Sequence, residues 1–169
     1  MLDRRFPTAL QMMHSLAFAR RSQVNIISSS QFAEWIGAHP ALVRKLLKTL
    51  VDAGLVESRM GRHGGVSLAR DPSRIALSEI YEAALCNKKI WEGRPDVPHR
   101  CAISSRFENY FSDLAAQADM RLMEWLGQIT LEKSLDDLLS TRSREASSLD
   151  NGCQVQDRDE LYADIMTRG

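Results

Sequence analysis

Long apolar runs are missing from this chain: nowhere do about 18 apolar residues follow one another, which excludes a membrane-spanning helix. The opening MLDRRFPTAL also lacks the charged-then-apolar pattern of a secretory leader, so the expected location is the cytoplasm. Cysteine is scarce. Cys86, Cys101 and Cys153 are three in number, unevenly spaced, and do not make the disulfide framework of a secreted domain, so a reducing compartment fits. No phosphate-cradling glycine loop, nucleophile elbow or paired metal-ligand motif occurs. The sequence therefore predicts no enzyme and no metal site.

What is present is enough apolar material, 44% of 169 residues, for one substantial core and an accessory element. The formal net charge of zero conceals an asymmetry. Residues 1–74 carry 11 Lys+Arg against 5 Asp+Glu, whereas residues 75–169 carry 11 against 17. A basic front half on an acidic back half suits a polyanion-binding module joined to an assembly module.

Phe6, Leu10, Met13 and Ala17 mark an amphipathic helix over residues 6–20, with Pro7 tolerated in its first turn. Ser28 and Gln31 have capping-box spacing and open a short helix with Phe32, Ala33 and Ile36 as its apolar side, ended by Gly37. His39-Pro40 then starts a helix that places Leu42, Val43, Leu46, Leu47 and Leu50 on one face and stops at Gly54. Its other face carries Arg44, Lys45 and Lys48. Two helices joined by a tight turn, the second one basic, describe a helix-turn-helix. Periodicity alone leaves those cations open to two readings, contacts to DNA or ordinary solvated charges.

The alternating stretches Leu55–Arg59 and Val66–Arg70, separated by Met60-Gly61-Arg62-His63-Gly64-Gly65, predict a β-hairpin wing. Asp71-Pro72 closes this module, and a helix from about Ser78 packs back on it through Ile75, Leu77, Ile80, Tyr81 and Ala84. Residues 87–100 form a long loop containing Gly93, Pro95 and Pro98. Ser105 and Glu108 pair as a second capping box, opening the longest helix, whose ridge is Phe107, Phe111, Leu114, Ala118, Leu122 and Trp125. A short helix over Gln128–Leu139 follows, then a mobile tail rich in Ser, Arg, Asp and Glu. Within that tail only Glu160–Met166 has an amphipathic pattern.

The predicted fold is thus mainly α with a small β-hairpin wing: a winged helix-turn-helix domain and a long C-terminal helix. Its parts are a DNA-binding domain at 1–85, a loop at 86–104, helices at 105–140 and a flexible tail at 141–169. Candidate DNA contacts are Ser28, Ser29, Pro40, Arg44, Lys45 and Lys48 on the helix-turn-helix, and Arg59, Arg62, His63 and Gly64 on the wing. Cys101, next to Arg100 and just before a helix start, is placed to favour a thiolate; the alternative is a small buried apolar cysteine. Trp35, Trp91 and Trp125 are packing anchors, with Trp91 alternatively lining an effector pocket.

The segment LVRKLLKTLVDAGLVESRMGRHGGVSLARDPSRIALSEIYEA, with Ala53-Gly54-Leu55-Val56, the Gly61-x-x-Gly64-Gly65 wing and the later Ile129-Thr130-Leu131, resembles the Rrf-two family of bacterial transcription regulators. The resemblance covers roughly residues 4–140. It implies a homodimer joined through the 105–126 helix, double-stranded operator DNA as the partner, and repression as the commoner outcome. Two recognition helices would then meet half-sites roughly 34 Å apart. Cluster-binding members of the family carry three loop cysteines and a histidine ligand. Here only Cys101 matches, and Ser104 stands where the histidine is expected, so an iron-sulfur cluster is not implied. His99 is the one substitute ligand the loop offers. The chain is more similar to cluster-free members that sense oxidants with one loop cysteine, which would make Cys101 the sensor and Cys86 or Cys153 its resolving partner. A cluster-binding or small-molecule-sensing regulator, and a winged helix turned protein-interaction module, are the alternatives. Family members often have an aromatic after the paired glycines; this chain has Val66.

Overall fold

A computed structural model describes residues 3–22, 29–59, 64–86, 88, 90–91 and 101–146. The expectations attached to Ser28, Arg62, His63, His99, Arg100, Cys153 and Glu160–Met166 lie outside the described residues, as do the side chains of Ser29, Gln31 and Trp35. Packing divides the chain into two compact units, Met1–Asp136 and Asp137–Gly169.

Helix α1 (Arg5–Arg21) buries Ala9, Met12, Met13, Leu16 and Ala17. The expected ridge is rotated slightly: Phe6 and Leu10 are only half-buried. Phe6 instead meets Tyr81 edge-on, ring centroids 5.1 Å apart. Helix α2 (Ser29–Ile36) inserts Phe32, which is fully buried, and ends where Gly37 takes a φ of +61°.

Helix α3 (Pro40–Asp52) begins with Pro40 at its first position, and the ring of His39 accepts the Ala41 N–H through Nδ1 at 3.2 Å. Val43, Leu46, Leu47 and Leu50 are its buried side; Leu42 is half-buried. Gly54, with φ +67°, ends the helix in a Schellman turn: its N–H donates to the Val51 carbonyl at 2.9 Å and the Leu55 N–H to the Leu50 carbonyl at 3.0 Å. The chain turns directly into β1 (Val56–Arg59), which pairs antiparallel with β2 (Gly65–Leu68) in the register Val56↔Leu68 and Arg59↔Gly65. Val56, Val66 and Leu68 are buried; β2 alternates as a strand with one face on the core does, whereas β1 is exposed from Glu57 onward.

After a single 3-10 turn (Pro72–Arg74), α4 (Leu77–Leu85) starts one residue ahead of Ser78. Glu79 explains that start. Its carboxylate accepts the Ala76 N–H at 2.9 Å and takes an ion pair from Arg70 at 2.7 Å, fastening the wing's exit to the helix.

The long helix α5 (Ser104–Gly127) corrects the predicted capping box. Ile103 precedes it in helical conformation, and Ser105, already inside the helix, donates its hydroxyl back to the Ala102 carbonyl at 3.2 Å rather than capping. The last helix, α6 (Leu131–Ala146), is also displaced from the predicted Gln128–Leu139. Ile129 and Thr130 are extended because Thr130 forms an antiparallel bridge with Ala76, with Leu77 N–H to Ile129 carbonyl at 2.9 Å and Leu131 N–H to Ile75 carbonyl at 2.8 Å. Thr130 then caps α6 by accepting the Lys133 N–H at 3.2 Å. The helix runs beyond Leu139 into the segment expected as tail, where Arg, Glu and Ala are strong helix formers and no Gly or Pro intervenes before Gly152.

The start of α6 belongs to the same core as the helix-turn-helix: Leu126, Leu131 and Leu135 are buried, and Arg21 of α1 pairs with Asp136 at 2.7 Å. Leu131→Ala should therefore cost about 2–5 kcal/mol of stability in urea unfolding, as a core truncation does; a cost near zero would mean the ITL segment does not seat there. His14, half-buried on α1, contacts the Ser134 hydroxyl through Nε2 at 3.0 Å, and burial pushes its pKa below the ordinary imidazole value. The unfolded chain then binds more protons at His14 than the folded one, so this group's contribution is complete above the ordinary value and declines as pH falls through it. The stability of His14→Gln should decline less than that of the parent between neutral and mildly acid pH.

Candidate nucleic-acid interface

Because the leucine face of α3 is buried, Arg44, Lys45 and Lys48 emerge on its opposite side, all exposed. Steps of four (Arg44 to Lys48) and three (Lys45 to Lys48) put them on one face, beside the exposed Pro40. Strand β1 brings exposed Arg59 to the loop end of the hairpin, directly across the ladder from Gly65 and close to half-buried Gly64.

Helix and wing enclose an open groove of about 450 Å³. Leu47, Val51 and Val66 form its apolar floor, Ser58, Gly64 and Gly65 line the wing side, and Lys48 and Arg59 stand at its edges. Arg44 and Lys45 are not part of this lining. The sequence had marked Lys48, Arg59, Gly64 and Gly65 but missed Leu47, Val51, Ser58 and Val66 as parts of the groove. Val51 carried a signal: it follows Leu47 by one helical turn yet falls outside the buried face, at 36% exposure.

Among the described residues, none of Arg44, Lys45, Lys48 and Arg59 is held in an ion pair. Four cations elsewhere are engaged: Arg5 with Asp3 at 2.6 Å, Arg20 with Asp71 at 3.7 Å, Arg21 with Asp136 and Arg70 with Glu79, both at 2.7 Å. Exposed Arg4, Arg74, Lys88, Arg106, Arg121 and Lys133 have no ion pair among the described residues either, but they are scattered over other segments. The cations committed to the fold and those on the α3–wing surface are thus different sets.

Cys101 is exposed and sits in the turn that leads into α5, which removes the buried-apolar reading. Its N–H donates to the Ser104 hydroxyl at 3.0 Å, the Ser104 N–H donates to Cys101 Sγ at 3.4 Å, and the Ser104 Oγ lies 3.5 Å from the sulfur. The Ser104 hydroxyl first, then the Ser104 and Ile103 amides, lower the Cys101 pKa below the usual thiol value. Ser104 was noted in the sequence only as a missing histidine; a serine three residues after a cysteine at a helix start was the sign of its role. Cys86 is exposed too, ending α4 in a left-handed conformation with φ 52°.

Along α5 only Ala115 and Leu126 are buried. Ile103, Phe107, Tyr110, Leu114, Met120 and Trp125 all stay exposed, Tyr110 at 65% and Trp125 at 59%, so Trp125 is no packing anchor within the chain. Phe107 stacks on Phe111 at 5.8 Å, and half-exposed Trp91 tilts over Phe111 at 6.3 Å.

Comparison with known proteins gives a consistent result. The family model Rrf2, described as iron-dependent transcriptional regulator, matches residues 2–137. YwnA of Bacillus subtilis (strain 168), named as a candidate HTH-type transcriptional regulator, is 24% identical over 140 residues, covering 83% of this chain and 98% of YwnA. A regulator structure from Lactobacillus plantarum superposes with a TM-score of 0.67 at 19% identity, covering 87% of this chain and 99% of that one. CymR, the global cysteine regulator of B. subtilis, gives 0.58 at 21% identity, with 80% and 96% covered. IscR of T. potens gives 0.54 at 22% identity, with 82% and 88% covered. The winged-helix fold is therefore shared. The iron in the family's description raises the question of fit. Around Cys101 the described donors are one serine hydroxyl and two amides, and no three His, Cys, Asp or Glu side chains cluster among the described residues. An iron-sulfur cluster takes four thiolate or imidazole ligands, of which the described residues around Cys101 supply that one thiol.

With Cys86 and Cys153 replaced by serine, the alkylation rate of Cys101 should rise with pH through a midpoint below that of an ordinary thiol. Ser104→Ala should move this midpoint up, because the thiolate loses its main donor. An unchanged midpoint would show that Ser104 does not tune the sulfur.

Proposed function

The chain belongs to the Rrf2 family of transcriptional regulators, and on that premise we propose that it is a cytoplasmic, homodimeric repressor that binds operator DNA through α3 and the wing and is switched by oxidation of Cys101. The observation that carries the DNA reading is the set of four exposed cations, free of ion pairs among the described residues, on the two elements that a winged helix presents to a duplex. Exposed Asp52 and Glu57 lie on the same two elements, and neither is ion-paired with these cations. Among the described residues no helix is long and apolar enough to cross a membrane.

The homodimer reading rests on the apolar ridge of α5. Exposed Phe107, Tyr110 and Leu114 at steps of three and four form a seam that a second α5 covers. Each subunit then contributes one recognition helix to a two-fold operator.

For the switch, the Cys101 thiolate attacks a hydroperoxide: an S–O bond forms, the O–O bond breaks, and the hydroxide or alkoxide that leaves takes up a proton. A second thiol, Cys86 or Cys153, then displaces water from the sulfenic acid to give a disulfide. Constraint at the start of α5 changes the relative position of the two recognition helices and weakens a two-half-site contact. The mechanism uses no metal and no cluster.

The test is fluorescence anisotropy on the DNA upstream of the protein's own gene. Reduced parent should bind tightly, peroxide treatment should abolish binding, and Cys101→Ser should bind with or without peroxide. Binding indifferent to oxidation would leave a regulator with some other signal, whereas no binding by reduced protein would remove the DNA reading itself.

A further inference from the structure

We propose that the groove between α3 and the wing is a seat for one sugar-phosphate unit of the DNA backbone, with Lys48 and Arg59 clamping a single phosphate from its two sides. Base reading is thereby left to Arg44 and Lys45. This rests on the DNA-binding reading above and assigns separate roles to cations that the sequence could not distinguish.

The argument begins with the duplex. A recognition helix occupies the major groove and a wing reaches the neighbouring minor groove. The ridge between those grooves is the phosphodiester backbone, so a strand of backbone must pass between helix and wing. In this chain the space between them is an open groove of about 450 Å³. Its lining suits such an occupant. Leu47, Val51 and Val66 offer an apolar floor to the C–H face of a deoxyribose, and Gly64 and Gly65 keep the wing wall low. Lys48 from the helix and Arg59 from the wing approach the same space from opposite elements, and neither is held in an ion pair among the described residues. An ammonium and a guanidinium around one apolar cleft are complementary to a phosphodiester, which has one negative charge and free oxygens for both. Arg44 and Lys45 share the exposed face of α3 but not the groove, which leaves them directed at what lies beyond the backbone, the base edges.

Two properties follow. A phosphate seat carries no sequence information, so its loss weakens all duplexes alike. Two cations on one phosphate also act as a unit, so their deletions are not additive. The experiment is anisotropy, across a KCl series, on two short duplexes, one from upstream of the protein's own gene and one of scrambled sequence, for the parent, Lys48→Ala, Arg59→Ala, the double variant, Arg44→Ala and Val51→Phe. Each single groove substitution should weaken binding about tenfold on both duplexes. The double variant should fall well short of the roughly hundredfold that independent contacts would give. Arg44→Ala should lower the ratio between the two duplexes instead. Val51→Phe fills the groove and should weaken both duplexes while its thermal melt stays that of the parent. Additive losses, losses confined to the cognate duplex, or full binding by Val51→Phe would each overturn the clamp while leaving the DNA reading in place. A parent that binds neither duplex at any salt would overturn both.

Discussion

Burial of one face of α3 is the constraint on which the rest of this molecule depends. Val43, Leu46, Leu47 and Leu50 can leave water only if the helix lies down on the remaining core, and with 3.6 residues per turn that choice fixes where Arg44, Lys45 and Lys48 point. The Schellman turn at Gly54 then fixes the direction in which the chain departs, so that Leu55 closes the core and β1 runs out beside the helix. The groove between α3 and the wing is the gap left by this turn. Stability and function are thus properties of opposite sides of one helix, with Val51 at the edge between them.

A second consequence concerns charge. The front half of the chain has a surplus of cations, and their allocation follows geometry. Several of those near helix ends or loop exits meet carboxylates: Arg70 is pinned by Glu79, and Arg20 and Arg21 close the end of α1 onto Asp71 and Asp136. Such exposed pairs contribute little stability individually, but they remove charge from surfaces where it is not used. The groove lining holds no acidic side chain; exposed Asp52 and Glu57, on the same two elements, lie outside it.

How much of this was legible in the sequence depended on how local the cause was. The helix-turn-helix and the hairpin were, because periodicity, Gly37, Pro40, Gly54 and the Gly64-Gly65 pair are signals read within a few residues. The Ser105–Glu108 capping box was not, because an earlier turn at Cys101–Ser104 had already started the helix, and spacing alone cannot tell a cap from a serine one turn inside. The start of α6 was missed for a non-local reason: Ile129 and Thr130 are held extended by Ala76, more than fifty positions away. The groove was half legible. Its cations stood out as exposed charges, but its floor is built from residues on α3 and β2 whose meeting is a tertiary event.

The bridge at Ala76–Thr130 bears on how a regulator of this build can be switched at all. Leu126, Leu131 and Leu135 anchor the end of α5 and the start of α6 in the core that also holds α3. Cys101 lies at the other end of α5, which is 24 residues long, or about 36 Å at 1.5 Å per residue. A change of sulfur chemistry there has two routes to α3: through α4, which packs on both α5 and α3, or along α5 itself. Along the second route α5 acts as a lever whose far end is fixed to the recognition module. In the proposed dimer the apolar ridge between these ends is the seam with the second subunit, so a lever movement there displaces both recognition helices together.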